Sequence, residues 1–184
     1  SLPARTTADT GIDALTHAME AYVSKKANPY TDSQAIQAMG LLAPHLRRAC
    51  CNGEDKEARE AMMLGATLAG IAFSNASVAL VHGMSRPIGA LFHVPHGLSN
   101  AMLLPTVTEY SISASPSRYA DCARAMRVAL QSDSDSIANE KLMMELVSIN
   151  DELKVPTLKE FGVEKNVFFE ALDLMAAQAL ASGS

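Results

Sequence analysis

Tryptophan is absent from this chain, and aromatic residues make up only 5% of it. A core here cannot rest on large rings. It must be built from Ala, Leu, Val, Ile and the 10 methionines within an apolar content of 48%. That palette suits close helix packing better than a sheet. Cysteine is scarce as well: Cys50, Cys51 and Cys122 are odd in number. Cys50-Cys51 lacks the spacing of a Cys-rich structural metal site, so the thiols read as reduced and the expected setting is cytoplasmic. Basic stripes are lacking, and the net charge is −5. Nothing can neutralise a run of phosphates, so nucleic acid is not an expected partner. No apolar run reaches the roughly 18 residues of a membrane span, and no signal peptide opens the chain. A Gly-rich phosphate-binding loop after a strand is missing too.

The 184 residues fit one domain with a real core. Helix signals dominate and no convincing strand alternation occurs, so the expected fold class is all-α. Thr10 is a candidate cap for a helix to about Lys26, ended by Asn28-Pro29-Tyr30. Thr31 is a candidate cap for the next, with Ile36, Met39, Leu42 and Leu46 at helical spacing and a kink expected at Pro44. A Gly- and Ala-rich helix follows from about Lys56 to Ser77. Gly65 and Gly70 would weaken it alone, which suggests close approach of a neighbour. Further helices are expected at about 79–92 with an interruption near Pro87, from Gly97 to about Tyr110, from Ser115-Pro116 through about Gln131, and at about 135–152 and 164–181. The chain has no initiator Met and ends in Ser182-Gly183-Ser184 directly after an apolar run, so it is expected to be part of something longer.

Chemistry concentrates at a few positions. Asp13 and His17 are four apart, which on a helix puts both side chains on one face, one turn apart. His82 and His96 stand next to Gly83 and Gly97, and glycine lets backbone approach a bound group. Each has an ordinary alternative. Asp13 could simply favour a helix N-terminus, and the histidines could be satisfied core residues. Together, one Asp and three His form a mixed hard and borderline donor set that suits Fe(II) or Zn(II) with an open position. His45, beside Arg47 and Arg48, reads as a solvated helix residue.

The segment Gly11-Ile12-Asp13-Ala14-Leu15-Thr16-His17-Ala18-Met19-Glu20-Ala21-Tyr22 resembles the first signature of the iron-containing (group III) alcohol dehydrogenases. The segments Val81-His82-Gly83-Met84 and Pro95-His96-Gly97-Leu98-Ser99-Asn100-Ala101-Met102-Leu103-Leu104-Pro105 resemble the second. The resemblance implies that Asp13, His17, His82 and His96 are ligands of Fe(2+) or Zn(2+). It implies that residues 1–184 form one helical metal-binding catalytic domain, of the dehydroquinate-synthase-like or iron alcohol dehydrogenase C-terminal type. NAD(P) would be held mainly by a nucleotide-binding domain outside this chain, and the chain alone is not expected to turn over. The substrate would be a small alcohol or aldehyde, and a homo-oligomer is expected. Position 86 departs from the pattern, because several relatives carry a His there as a candidate proton relay. Arg86 cannot be a general base near neutral pH, but it could stabilise an oxyanion or a substrate carboxylate. Arg86 and His93, the remaining titratable residue near the ligands, are therefore the candidate catalytic residues. Two other readings compete: a helical hydrolase using metal-activated water, and a non-catalytic helical module whose methionines bind partner helices.

Overall fold

A computed structural model describes residues 2–181. The expectation drawn from the Ser182-Gly183-Ser184 end lies outside the described residues. Those described form ten helices and no strand: α1 (Ala4–Val23), α2 (Pro29–Cys51), α3 (Lys56–Ala76), α4 (Leu80–Phe92), α5 (His96–Ile112), α6 (Pro116–Ala125), α7 (Asp135–Glu152), α8 (Leu158–Phe161), α9 (Lys165–Glu170) and α10 (Leu172–Ala181). No single one of them is long and apolar enough to cross a membrane; α3 and α4 reach that composition only as a pair bent by 99°.

Helix α1 is the axis of the fold. It packs against α2, α3 and α5, and Ile12, Leu15, Ala18 and Met19 are fully buried along it. Small residues make this possible. A Cβ on Gly11 would lie 2.4 Å from Leu46 Cδ1, and one on Gly65 would lie 2.7 Å from Leu42 Cγ. Both glycines therefore set how closely neighbouring helices approach. Gly70 faces open space instead, so the close-packing expectation holds at only one of the two α3 glycines.

Several boundaries differ from those read in the sequence. Thr10 does not cap α1; it lies two turns inside, where its hydroxyl donates to the Thr6 carbonyl at 2.8 Å. Asn28, not Thr31, caps α2. Its side chain accepts from the Tyr30 and Thr31 amides, while Thr31 Oγ1 accepts from the Asn28 amide in a reciprocal capping box. Helix α4 continues through Pro87, and α2 and α5 continue through Pro44 and Pro105. An interior proline costs about 3 kcal/mol locally. At Pro87 the helix is held by burial of Val81, His82, Ser85, Pro87 and Ile88 along it. Helix α6 stops at Ala125, and Arg127 turns the chain with a left-handed φ of 65°. The helix expected at about 164–181 is two pieces, α9 and α10, with the short α8 before them.

Two apolar clusters result. The larger joins α1, α2, α3, α6 and α7 through residues such as Leu42, Leu46, Leu142, Leu146 and Ile149. The smaller gathers Ile88, Val94, Leu98 and Met175, with Phe92 and Phe168 partly buried against it. Helix α4 belongs to both, with Val81 in the first and Ile88 in the second.

Candidate metal centre

Asp13, His17 and Glu20 follow one another at spacings of four and three along α1, so they share one face. That face meets the start of α4, which brings His82, and the start of α5, which brings His96. Gly97 lets α5 come this close: a Cβ there would lie 2.6 Å from the Asp9 carbonyl oxygen of α1. The glycine beside His96 is therefore a packing requirement that delivers the histidine to Asp13.

Four residues expected as ligands converge. One donor atom from each of Asp13, His17, His82 and His96 lies within 4.8 Å of the others. Asp13 Oδ1 is 3.6 Å from His17 Nδ1, 3.4 Å from His82 Nε2 and 3.7 Å from His96 Nε2. A tetrahedral shell with bonds of about 2.1 Å separates its ligand atoms by about 3.4 Å. The donor set thus fits a divalent cation in both chemistry and spacing. A further sign is Asn100, one turn after His96 on α5. Its amide nitrogen donates to Asp13 Oδ1 at 2.6 Å and lies 3.0 Å from His82 Nε2 and 3.2 Å from His96 Nε2. Its own Oδ1 is buried without a partner. Three acceptor atoms thus aim at one electropositive group, as they would at a cation.

Each residue of the cluster has its own support. His82 is 2% exposed, and its Nδ1 sits 2.6 Å from Glu20 Oε2. The same carboxylate accepts the Val81 amide at 2.6 Å and the His82 amide at 3.3 Å. Helix α4 has no side-chain cap of its own, so Glu20 of α1 supplies one. A carboxylate behind a ligating imidazole fixes its orientation and leaves Nε2 to face the site. His17 stacks on Phe73 of α3 with ring centroids 4.2 Å apart. His96 is the open member, 50% exposed.

The charges are coupled. Burial alone would raise the Asp13 carboxyl, but His82, His17 and Asn100 outweigh it and hold the group below its ordinary value. Burial pushes His17 down to about 4 despite Asp13 beside it. Burial also opposes charge on His82, yet its bonds to Asp13 and Glu20 win and raise it above an ordinary histidine. Two imidazoles shifted in opposite directions therefore share a single carboxylate.

The cluster opens into a cavity of about 580 Å³, walled by His17, Phe73, His82 and His96 together with Lys26 and Arg86. Arg86 is thus where it was expected, one turn after His82 on α4. His93 is not brought to this cavity. It ends α4 as an exposed residue with a left-handed φ of 55°. His45 lies elsewhere and is half-buried rather than solvated, with Nδ1 2.8 Å from the Leu41 carbonyl.

Residues 7–183 match the model of the Fe-containing alcohol dehydrogenase family, C-terminal. The chain belongs to this family. It is 42% identical over 183 residues to the 1,3-propanediol dehydrogenase of Klebsiella pneumoniae, covering 99% of this chain and 46% of that one. It is 39% identical over 181 residues to the NADPH-dependent butanol dehydrogenase of Clostridium saccharobutylicum, covering 98% and 46%. Among solved structures, a 1,3-propanediol oxidoreductase superposes with a TM-score of 0.91 at 41% identity over 98% of this chain and 47% of that one. An alcohol dehydrogenase from Oenococcus oeni gives 0.91 at 39% over 99% and 47%. The chain therefore spans about half the length of the curated relatives it matches. The all-α class agrees with these structures, and the hydrolase reading finds no support among these relatives.

Glu20, Asn100 and Phe73 carry the site without having been singled out from sequence. Glu20 and Asn100 had a readable signal, since each falls three or four residues from a ligand on the same helix face. Phe73 had none, because its pairing with His17 spans two helices.

Proposed function

We propose that this chain is the metal-bearing catalytic portion of an NAD(P)-dependent alcohol dehydrogenase that interconverts small alcohols with aldehydes or ketones. Asp13, His17, His82 and His96 would hold the divalent metal, Fe(2+) or Zn(2+). The observation that carries this reading is the convergence of their four donor atoms within 4.8 Å beside an open cavity. A metal held there supplies Lewis-acid polarisation of an alcohol or carbonyl oxygen. The residues of the chain do the rest. Glu20 locks the His82 ring, Phe73 packs the His17 ring, and Asn100 holds Asp13 through its amide. His96, at the edge, leaves the site reachable from the cavity. The nicotinamide cofactor carries the hydride, and its nucleotide would be bound mainly by residues outside this chain. The names of the two curated relatives support small alcohols as the substrate class.

The test is metal analysis and NAD(P)H-linked assay of the full polypeptide. One equivalent of Fe or Zn, aldehyde-dependent NAD(P)H oxidation, and loss of both on chelation are expected. Stoichiometric metal retained after His82→Ala and His96→Ala would overturn the ligand assignment.

A further inference from the structure

Arginines in this chain are generally paired. Arg5, Arg47, Arg48, Arg118 and Arg124 each meet at least one carboxylate within 3 Å. Arg86 is different. Among the described residues neither it nor Lys26 carries an ion pair, yet both line the cavity beside the metal cluster. No Asp or Glu lines that cavity. The wall therefore offers two fixed cations and no carboxylate of its own; the Asp13 carboxylate of the adjoining cluster is engaged with His17, His82 and His96. Placement adds to composition. Arg86 is four residues after His82 on one helix, so its side chain leaves the backbone one turn from a ligand on the same face. A guanidinium there presents a planar fork suited to a carboxylate or another oxyanion. A cavity of about 580 Å³ holds a small organic acid with room to spare.

We propose that Arg86, with Lys26, is the specificity-determining anion site of this cavity, and that the preferred substrate is a short hydroxy or oxo acid. Its oxygen would be placed at the cluster and its anionic group on Arg86. This rests on the dehydrogenase reading above. The same cations could otherwise serve a phosphate of the nicotinamide cofactor, and the two sources separate kinetically.

The experiment compares succinate semialdehyde with butanal, equal in carbon number and different in the carboxylate, using the metal-loaded full polypeptide. The ratio of their kcat/KM values is expected to favour the acid. Arg86→Ala is expected to lower that ratio by about tenfold or more, Arg86→Lys to restore part of it, and Lys26→Ala to lower it a few-fold. An equal change for both aldehydes overturns the proposal, as does a change confined to the KM of the nicotinamide cofactor. Binding is read separately from turnover in the cofactor-free, metal-loaded protein. Butanoate is expected to raise its melting temperature more than butanol does, and Arg86→Ala to remove the difference. If neither aldehyde is reduced, the dehydrogenase reading fails. The butanoate result still decides whether these cations bind a carboxylate.

Discussion

The two apolar clusters support the metal centre unequally. The large one encloses α1 and the start of α4, so Asp13, His17 and His82 grow out of its surface. Glu20 and His82 are themselves buried there. The small one sits under the turn between α4 and α5, where Val94 is buried and His96 begins the next helix. One part of the site is set by a dense core, the other by a thin one that also carries the short helices α8 to α10. The contrast points to three rigidly held residues of the cluster and one adjustable residue, His96, at the mouth of the cavity.

The sharpest way to break that contrast is a pair of ligand substitutions. His82→Ala is expected to abolish metal binding and to destabilise the fold by about 3 kcal/mol, because it removes the imidazole partner of the buried Glu20 carboxylate and leaves a cavity in its place. His96→Ala is expected to weaken metal binding while changing the metal-free melting temperature little. Elemental analysis and denaturant melts read both, and equal destabilisation would erase the distinction. Next in size are the cores themselves. Leu42→Ala, fully buried, is expected to cost about 2–5 kcal/mol, and Met175→Ala clearly less. Denaturant midpoints decide, and a reversed order would show that the small cluster matters more than its size implies. Glu20→Gln keeps the shape but removes the charge behind His82. A drop of about 10–100-fold in metal affinity is expected by chelator competition. Gly97→Ala is expected to cost about 1–3 kcal/mol, since the atom in its way is a backbone carbonyl oxygen. If α5 lifts off α1, metal affinity falls with stability. The smallest effect is that of pH. His82 is held above its ordinary value, so its proton competes with metal. Apparent affinity is expected to rise with pH, by no more than about tenfold per unit, until that imidazole is neutral. Affinity that falls as pH rises would contradict this sign.

The positions of the proposed ligands were legible because their information is local. The Asp13–His17 spacing and the glycines beside His82 and His96 each belong to one short segment. The aromatic-poor, Ala-rich composition likewise pointed to helices alone. What was not legible depended on contacts between segments. Thr10 has the chemistry of a cap, but burial of Thr7, Ala8 and Gly11 extends α1 past it. Pro87 has the chemistry of a break, but the packing of α4 outweighs it. Helix α6 ends early at a left-handed Arg127, a conformation that its residue type does not announce. Arg86 could be read as a departure from pattern, whereas its lack of an acidic neighbour needed three dimensions.

Glu20 joins two events that could have been separate. Its oxygens complete the first turn of α4 and also hold the ring of His82. The amide protons of Val81 and His82 should therefore be shielded from solvent deuterium by the same carboxylate that readies the imidazole. Their exchange would slow when the site is assembled and quicken when it opens, so two backbone positions can report on the metal centre without any measurement of turnover.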